Sequence, residues 1–410
     1  MLRSILAGAC LAAGIAASAG AADVPLNYEQ AQQLALDRQP LIQAQESESV
    51  AAKRRSDAAG ALPDPVLNTG VTDLTLDGPD RFTLRKETDT QLMVGIRQDF
   101  PGGDKRELRQ RRAQQQANQA DRKLEGLRRQ LRRDAGLDWI DVWKADRAVA
   151  LTQLSAAEAA TQADAVAITL RAGRATQADL LAAQVSKELL DDRVASLRQE
   201  GQHARNQLAR WIGDAGLGAV AQMPPSFSPP TRDALLANLQ SHPHYATEAA
   251  DVAISQTDVA LAQQDYKPDW SVGLGYSYRP AFADYLQLQF EVGLPVFGTH
   301  RQTPLLEASR AELEASQDRL ADALREHSAE IKTNWDDWQT LQVRLARYDS
   351  TLIPQAQQRC DAALGAYKAG QGTLAAVLDA RRMALDVQLQ RLDLEADFLK
   401  HGARLQFYAP

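Results

Sequence analysis

Cysteine is close to absent: the 410 residues hold only Cys10 and Cys360. Cys10 falls in "MLRSILAGACLAAGIAASAGAAD", which has one basic residue (Arg3), an apolar run, and small residues at Ala19 and Ala21. That layout predicts a secretory signal peptide over residues 1–21, with an A-x-A cleavage site. A lipoprotein reading would use Cys10, but only nine residues precede it and the apolar run continues past it. Removal of the signal leaves one thiol and no intrachain disulfide. An exported chain of this length then holds together by packing or oligomerisation.

Other absences narrow the class further. The 53 acidic and 46 basic residues give a net charge of −7 without a long like-charge run, so nothing points to nucleic acid. Beyond the signal no run of about 18 apolar residues exists, which excludes a membrane-spanning helix there. No catalytic constellation appears, and the chain reads as a non-enzyme without a cofactor. "REHSAE" (325–330) lacks the second histidine of a zinc-protease helix, "VGLGYS" is a lone G-x-G inside a strand pattern, and "FPGGDKRE" is not a phosphate loop. The two histidines of "SHPH" (241–244) have no further ligands close in sequence and read as a loop leading into a helix. Trp335 and Trp338 read as packing residues.

What is present is one unit written twice. "RAGRATQADLLAAQ" (171–184) closes one helical pattern at Gly173 and opens another at Thr176, and "KAGQGTLAAVLDAR" (368–381) does the same about 197 positions later. "LPDP" (62–65) pairs with "KPDW" (267–270), "DFPGGDKRE" (99–107) with "LPVFGTHRQ" (294–302), and Trp139 and Asp141 with Trp335 and Asp337. These matches keep their order, so the mature chain divides into a first repeat (22–212), a Gly/Pro-rich linker (213–230) and a second repeat (231–410). Each repeat reads helix, strand, loop, strand, long helix, tight reversal, long helix.

The helices dominate. From Asp104 to Arg171 no proline interrupts a run of good helix formers, enough for a rod on the order of 100 Å. The second repeat matches from Leu305 to Lys368, with a kink expected at Pro354. Leu190, Val194, Leu197, Gly201, Ala204, Leu208 and Trp211 form a heptad seam, the mark of coiled-coil packing. Helices alone would also suit a periplasmic coiled-coil structural protein.

The strands decide between these. "YLQLQFEVGLPV" (285–296) and "DWSVGLGYSY" (269–278) alternate apolar with small or polar residues over about ten positions, the length of a tilted strand crossing a bilayer. Trp270, Tyr278 and Tyr285 sit near their ends, where aromatic girdles belong. "QLMVGIRQ" (91–98) alternates more weakly and "VLNTGVTDLTL" (66–76) only in part. Four strands cannot close a barrel, and open edges are not tolerated in lipid, so copies must share one. Strand count alone allows two, three or four chains; three would give twelve strands.

The duplicated strand–strand–long helix–"(R/K)AG"–helix unit, the "FPGG" and "LPVFG" strand exits and the paired reversals resemble the TolC family of outer-membrane efflux proteins over essentially the whole mature chain. The resemblance implies a mainly α fold with a β-barrel portion: a trimeric α/β barrel with four strands and long coiled-coil helices per protomer. It implies an exit duct in the Gram-negative outer membrane, reaching through the periplasm to an adaptor (membrane fusion) protein and an inner-membrane transporter, here of RND type. The long Gln/Ala-rich helices look closest to the heavy-metal efflux branch. A type I protein secretion component is the alternative within the family.

The resemblance also assigns residues. The adaptor-facing tips would be Gly173, Arg174, Ala175 and Thr176 together with Gly370, Gln371, Gly372 and Thr373. A pore gate would use Asp179 and Tyr367, which in the family bond to each other and hold the helices inward. The basic residue that joins them there falls at Gly372 and is missing, with Arg174 as a substitute. Asp379 matches a pore-lining carboxylate ring whose companion position is Ala376. The local pattern offers a rival, because Thr176-Gln-Ala-Asp179 has capping-box spacing and Asp179 then simply caps its own helix.

Overall fold

The computed structural model describes residues 25–410; the expected signal peptide and Cys10 lie outside the described residues. Elements follow the order α1 (Tyr28–Arg38), α2 (Pro40–Ala59), β1 (Val66–Thr72), β2 (Gln91–Phe100), α3 (Lys105–Arg171), α4 (Gln177–Ile212), α5 (Arg232–Asn238), α6 (Pro243–Gln264), β3 (Trp270–Tyr278), β4 (Tyr285–Val292), α7 (Gln302–Arg347), α8 (Ile353–Lys368) and α9 (Leu374–Phe407). Among the described residues no helix is long and apolar enough to cross a membrane.

The strands form one antiparallel sheet in the order β1-β2-β3-β4. Register aligns the alternation of neighbouring strands: Val94 faces Tyr276, Ile96 faces Leu274, and Leu274 faces Leu288. One face is therefore apolar apart from Thr69 and Gln98, and Leu67, Leu286, Leu288 and Phe290 on it are each at least 65% exposed. The other face carries Gln287, Gln289, Glu291, Arg97 and the opposed pair Gly95 and Gly275. A Cβ at Gly95 would stand 3.1 Å from the Gly275 Cα, so the close approach of β2 and β3 needs glycine there.

Several strand boundaries differ from the alternation. β1 stops at Thr72 because Asp73 turns left-handed (φ +56°), so Asp73–Leu76 leave the sheet. Asp269 is not in β3; its carboxylate instead accepts from the Gly102 N–H (2.6 Å) and the buried Lys105 Nζ (2.8 Å), fastening sheet to α3. β4 ends at Val292, after which the Gly293 N–H turns to the Asp269 carbonyl (2.8 Å). Tyr285 pairs with Ser277 and so shares the parity of Gln287, with the Arg279 guanidinium 3.9 Å from its ring centroid. The aromatic band of the apolar face is instead Tyr276 and Tyr278 at one end and Trp270, stacked on Phe100 at 4.2 Å, at the other.

Below the sheet the helices keep the same order, with α2 packed on α3, α3 on α6 and α6 on α7. α3 runs 67 residues without a break, about 100 Å long. Its central core binds both ends of the repeat together. Trp139 and Trp143 are buried against α1, α4 and α9, and their indole N–H groups donate to the carbonyls of Leu26 and Gln222 (2.9 Å each). Val194, Gly201 and Leu208 of the heptad seam are buried, and Leu190, Leu197, Ala204 and Trp211 pack beside them. Trp335 and Trp338 pack on a second core formed by α5, α7 and the chain end. Pro354 lies in the first turn of α8, and the helix accommodates it with a π turn over Tyr348–Leu352.

Three of the six histidines meet where the chain ends. His242, before α6, lies 6.1 Å from His244 and 6.4 Å from His327 of α7, ring centre to ring centre. His242 is 1% exposed, and its Nε2 lies 3.2 Å from the Phe407 carbonyl. A carbonyl only accepts, so Nε2 carries the proton and Nδ1 is a bare lone pair, buried without a partner. Burial and the neighbouring Arg129, His244 and His327 push its pKa down to about 4, against the Phe407 bond that raises it. Tyr408 bonds His327 (3.0 Å) and Glu330, and Arg129 donates to the Ala409 carbonyl (3.0 Å), so the chain end clamps α3, α6 and α7.

Candidate functional site

The two helical reversals stand at one end of the molecule and are built alike. α3 ends in a Schellman motif: Gly173 has φ +71°, its N–H donates to Leu170 (2.9 Å), and the Arg174 N–H donates to Thr169 (2.9 Å). α8 ends the same way, with Gly370 at φ +74° and bonds from Gly370 to Tyr367 (3.0 Å) and from Gln371 to Ala366 (2.9 Å). A Cβ at either glycine would meet no atom within 4 Å, so backbone conformation, not space, requires glycine. Gly372 differs, since a Cβ there would come within 3.1 Å of the Ala366 side chain and the Tyr367 nitrogen.

The returning helices start from threonine caps. Thr176 Oγ1 accepts from the Asp179 N–H (3.1 Å) and the Thr176 N–H donates to Asp179 (2.9 Å), a complete capping box. The Thr176 hydroxyl also donates to that carboxylate (2.7 Å), and these two bonds hold the Asp179 carboxyl below the usual range. Thr373 caps α9 through the Ala376 N–H (3.2 Å) but has no reciprocal partner, because an alanine occupies the third position.

A small core fixes the two reversals to each other. Val166, Ala183 and Leu374 are buried there, with Ala175, Leu180, Tyr367 and Leu378 packed against them. Gly173, Arg174, Thr176, Gly370, Gln371 and Thr373 stay exposed beyond it. Six of the eight expected tip residues therefore come together on one surface, while Ala175 packs into the core and Gly372 is half-buried beside Ala366. The expected gate residues do not: Asp179 is spent on its cap, Tyr367 packs in the core, and no hydrogen bond joins them among the described residues. Asp379 is bound by Arg359 of α8 at 2.6 Å. Arg359 was not singled out from the sequence, because it lies 20 residues away on another helix and no local pattern marks it.

The remaining candidate surface is the polar face of the sheet. Arg97 and Glu291 approach to 3.8 Å across it, and Gln289 donates to Glu291 (2.9 Å). Charged and amide groups beside small residues suit a wet lumen, and the opposite face suits lipid.

Comparison with known proteins agrees with this geometry. The outer membrane efflux protein family matches residues 236–409. The chain is 25% identical over 343 residues to the cobalt-zinc-cadmium resistance protein CzcC of Cupriavidus metallidurans, covering 82% of this chain and 78% of that protein. Its fold superposes on that of CusC, a protein described as forming a transmembrane channel, with a TM-score of 0.80 at 14% identity over 93% of this chain and 92% of the other. The outer membrane protein VceC of Vibrio cholerae gives 0.78 at 16% identity over 93% and 95%.

Proposed function

Because the chain belongs to the TolC family of outer-membrane efflux proteins, the outer-membrane ducts of tripartite pumps, we propose that it works as a homotrimer carrying divalent metal cations. Within one chain β1 and β4 each leave an edge unpaired, and the face between them is apolar apart from Thr69 and Gln98. Such edges are untenable in lipid unless β4 of one copy pairs with β1 of the next. Three copies under cyclic symmetry give twelve strands, with α7 of each copy beside α2 of its neighbour. This pair of open edges carries the reading.

The exposed reversals, Gly173–Thr176 and Gly370–Thr373, are the surface that meets a periplasmic adaptor, with an RND-type transporter below. The metal cargo rests on the relative's cobalt-zinc-cadmium resistance. Mass measurement in non-ionic detergent tests the assembly: trimers are expected, and monomers alone would refute the shared barrel. Sensitivity of a deletion strain to zinc, cobalt and cadmium tests the cargo, and unchanged tolerance would overturn it.

A further inference from the structure

A cavity of about 350 Å³ lies between the two helical hairpins, above the tip core. Its floor is apolar, with Leu154 and Leu189 from the α3–α4 hairpin and Leu385 from α9. Leu154 and Leu189, both lining the cavity, are 64% and 66% exposed and leave apolar surface open to solvent. The tip core closes one end, since Ala159 lines the cavity and Ala163, one turn on, is buried in that core. An ion pair from Arg193 of α4 to Asp386 of α9 (2.9 Å) crosses toward the other end.

The rim is positive. Arg381 and Arg382 stand beside Arg193 on it, against Glu158 alone among the lining carboxylates. Asp386 is shared between Arg193 and, at 3.9 Å, Arg382. The Arg381 guanidinium reaches only the Glu158 carbonyl, at 3.4 Å, and among the described residues no carboxylate lies within ion-pair distance of it. An apolar floor of this volume with one unneutralised guanidinium at its mouth has the composition of a small-molecule site.

We propose that this cavity binds amphiphiles with an anionic head group, the chain lying on Leu154, Leu189 and Leu385 and the head held by Arg381 and Arg382. Charge selects the class: a cationic head would meet two arginines, and a neutral one would leave Arg381 unpaired. A helix would need a continuous groove, whereas this cavity is bounded at the tip side by packed side chains. The occupant touches α3, α4 and α9 at once, so it ties one hairpin to the other. The site is independent of what the duct carries.

Cys360 lines the same cavity and is the only thiol among the described residues, which makes it the reporter. The full-length protein in a non-ionic maltoside is labelled at Cys360 with a maleimide while dodecanoate is added below its micelle concentration. With the ligand at ten times its dissociation constant, mass action leaves about a tenth of the sites free, so labelling slows about tenfold and saturably. Dodecyltrimethylammonium should give no such protection. The double variant Arg381→Ala, Arg382→Ala should label at the parent's rate without ligand and lose the dodecanoate effect. Equal protection by both amphiphiles, protection that survives the double variant, or no saturable protection would each overturn the proposal.

Discussion

Acidification should release the chain end through His242. In the folded protein this imidazole is held at about 4, against 6.5 for the ordinary side chain. A folded value below the unfolded one means that the open state binds the proton more readily. The stabilisation is complete above about pH 6.5 and is lost as the pH falls from there toward 4. At about pH 5 the difference amounts to about 2 kcal/mol, or a ~30-fold shift toward the open state relative to neutral pH. The amides of Tyr408 and Ala409, bonded to Leu405 and Gln406, report the opening directly by hydrogen exchange. Their protection factors should fall about 30-fold between neutral pH and about pH 5, after correction for intrinsic exchange. His242→Phe keeps a ring of similar shape against Phe407 and Tyr408 but cannot take the proton. It loses the bond to the Phe407 carbonyl at every pH, so its absolute protection drops while most of its pH dependence disappears. An unchanged pH dependence in the variant would refute the assignment, as would parent protection that is flat across this range.

Other outcomes follow from the tips and the sheet. Replacing Gly173 and Gly370 together by valine should cost about 1–2 kcal/mol at each reversal, purely from the left-handed backbone; efflux should fail while the protein still reaches the outer membrane, and normal efflux would remove the tips from the adaptor surface. Tyr367→Phe should leave single-channel conductance unchanged, because among the described residues its hydroxyl bonds nothing across the tip; Thr176→Ala, which removes a helix cap worth about 1 kcal/mol, should raise it. A conductance increase in Tyr367→Phe would restore the inward bond to Asp179. Arg359→Gln should free the Asp379 carboxylate and increase cation selectivity, measured by reversal potential in a salt gradient; no change would place Asp379 off the conduction path. Leu288→Lys on the apolar face should cost about 2–4 kcal/mol of barrel stability, seen as loss of heat-modifiable migration, while Gln289→Lys on the polar face should be tolerated.

The sequence by itself determined the periodic and punctuated parts. The proline-free run after Asp104 dictated α3, the two glycines followed by threonine dictated the reversals, and alternation in 285–292 fixed which face of β4 is apolar. Each of these is a local preference acting within a few residues, repeated in two halves. The resemblance to a known family was legible for the same reason, since it rests on the order of such local signals. Strand ends were less legible: Asp269 fits the alternation yet leaves the sheet through a carboxylate drawn to Lys105, and β1 stops early because the Asp73 backbone turns left-handed. Only the tertiary structure decided the rest. It brought His242 and His244, at the start of α6, to His327 of α7, set Arg359 on Asp379 from a neighbouring helix, and opened a leucine-floored cavity between two hairpins. Those pairings depend on how α3, α6, α7, α8 and α9 pack side by side, and packing partners distant in sequence leave no trace in local spacing.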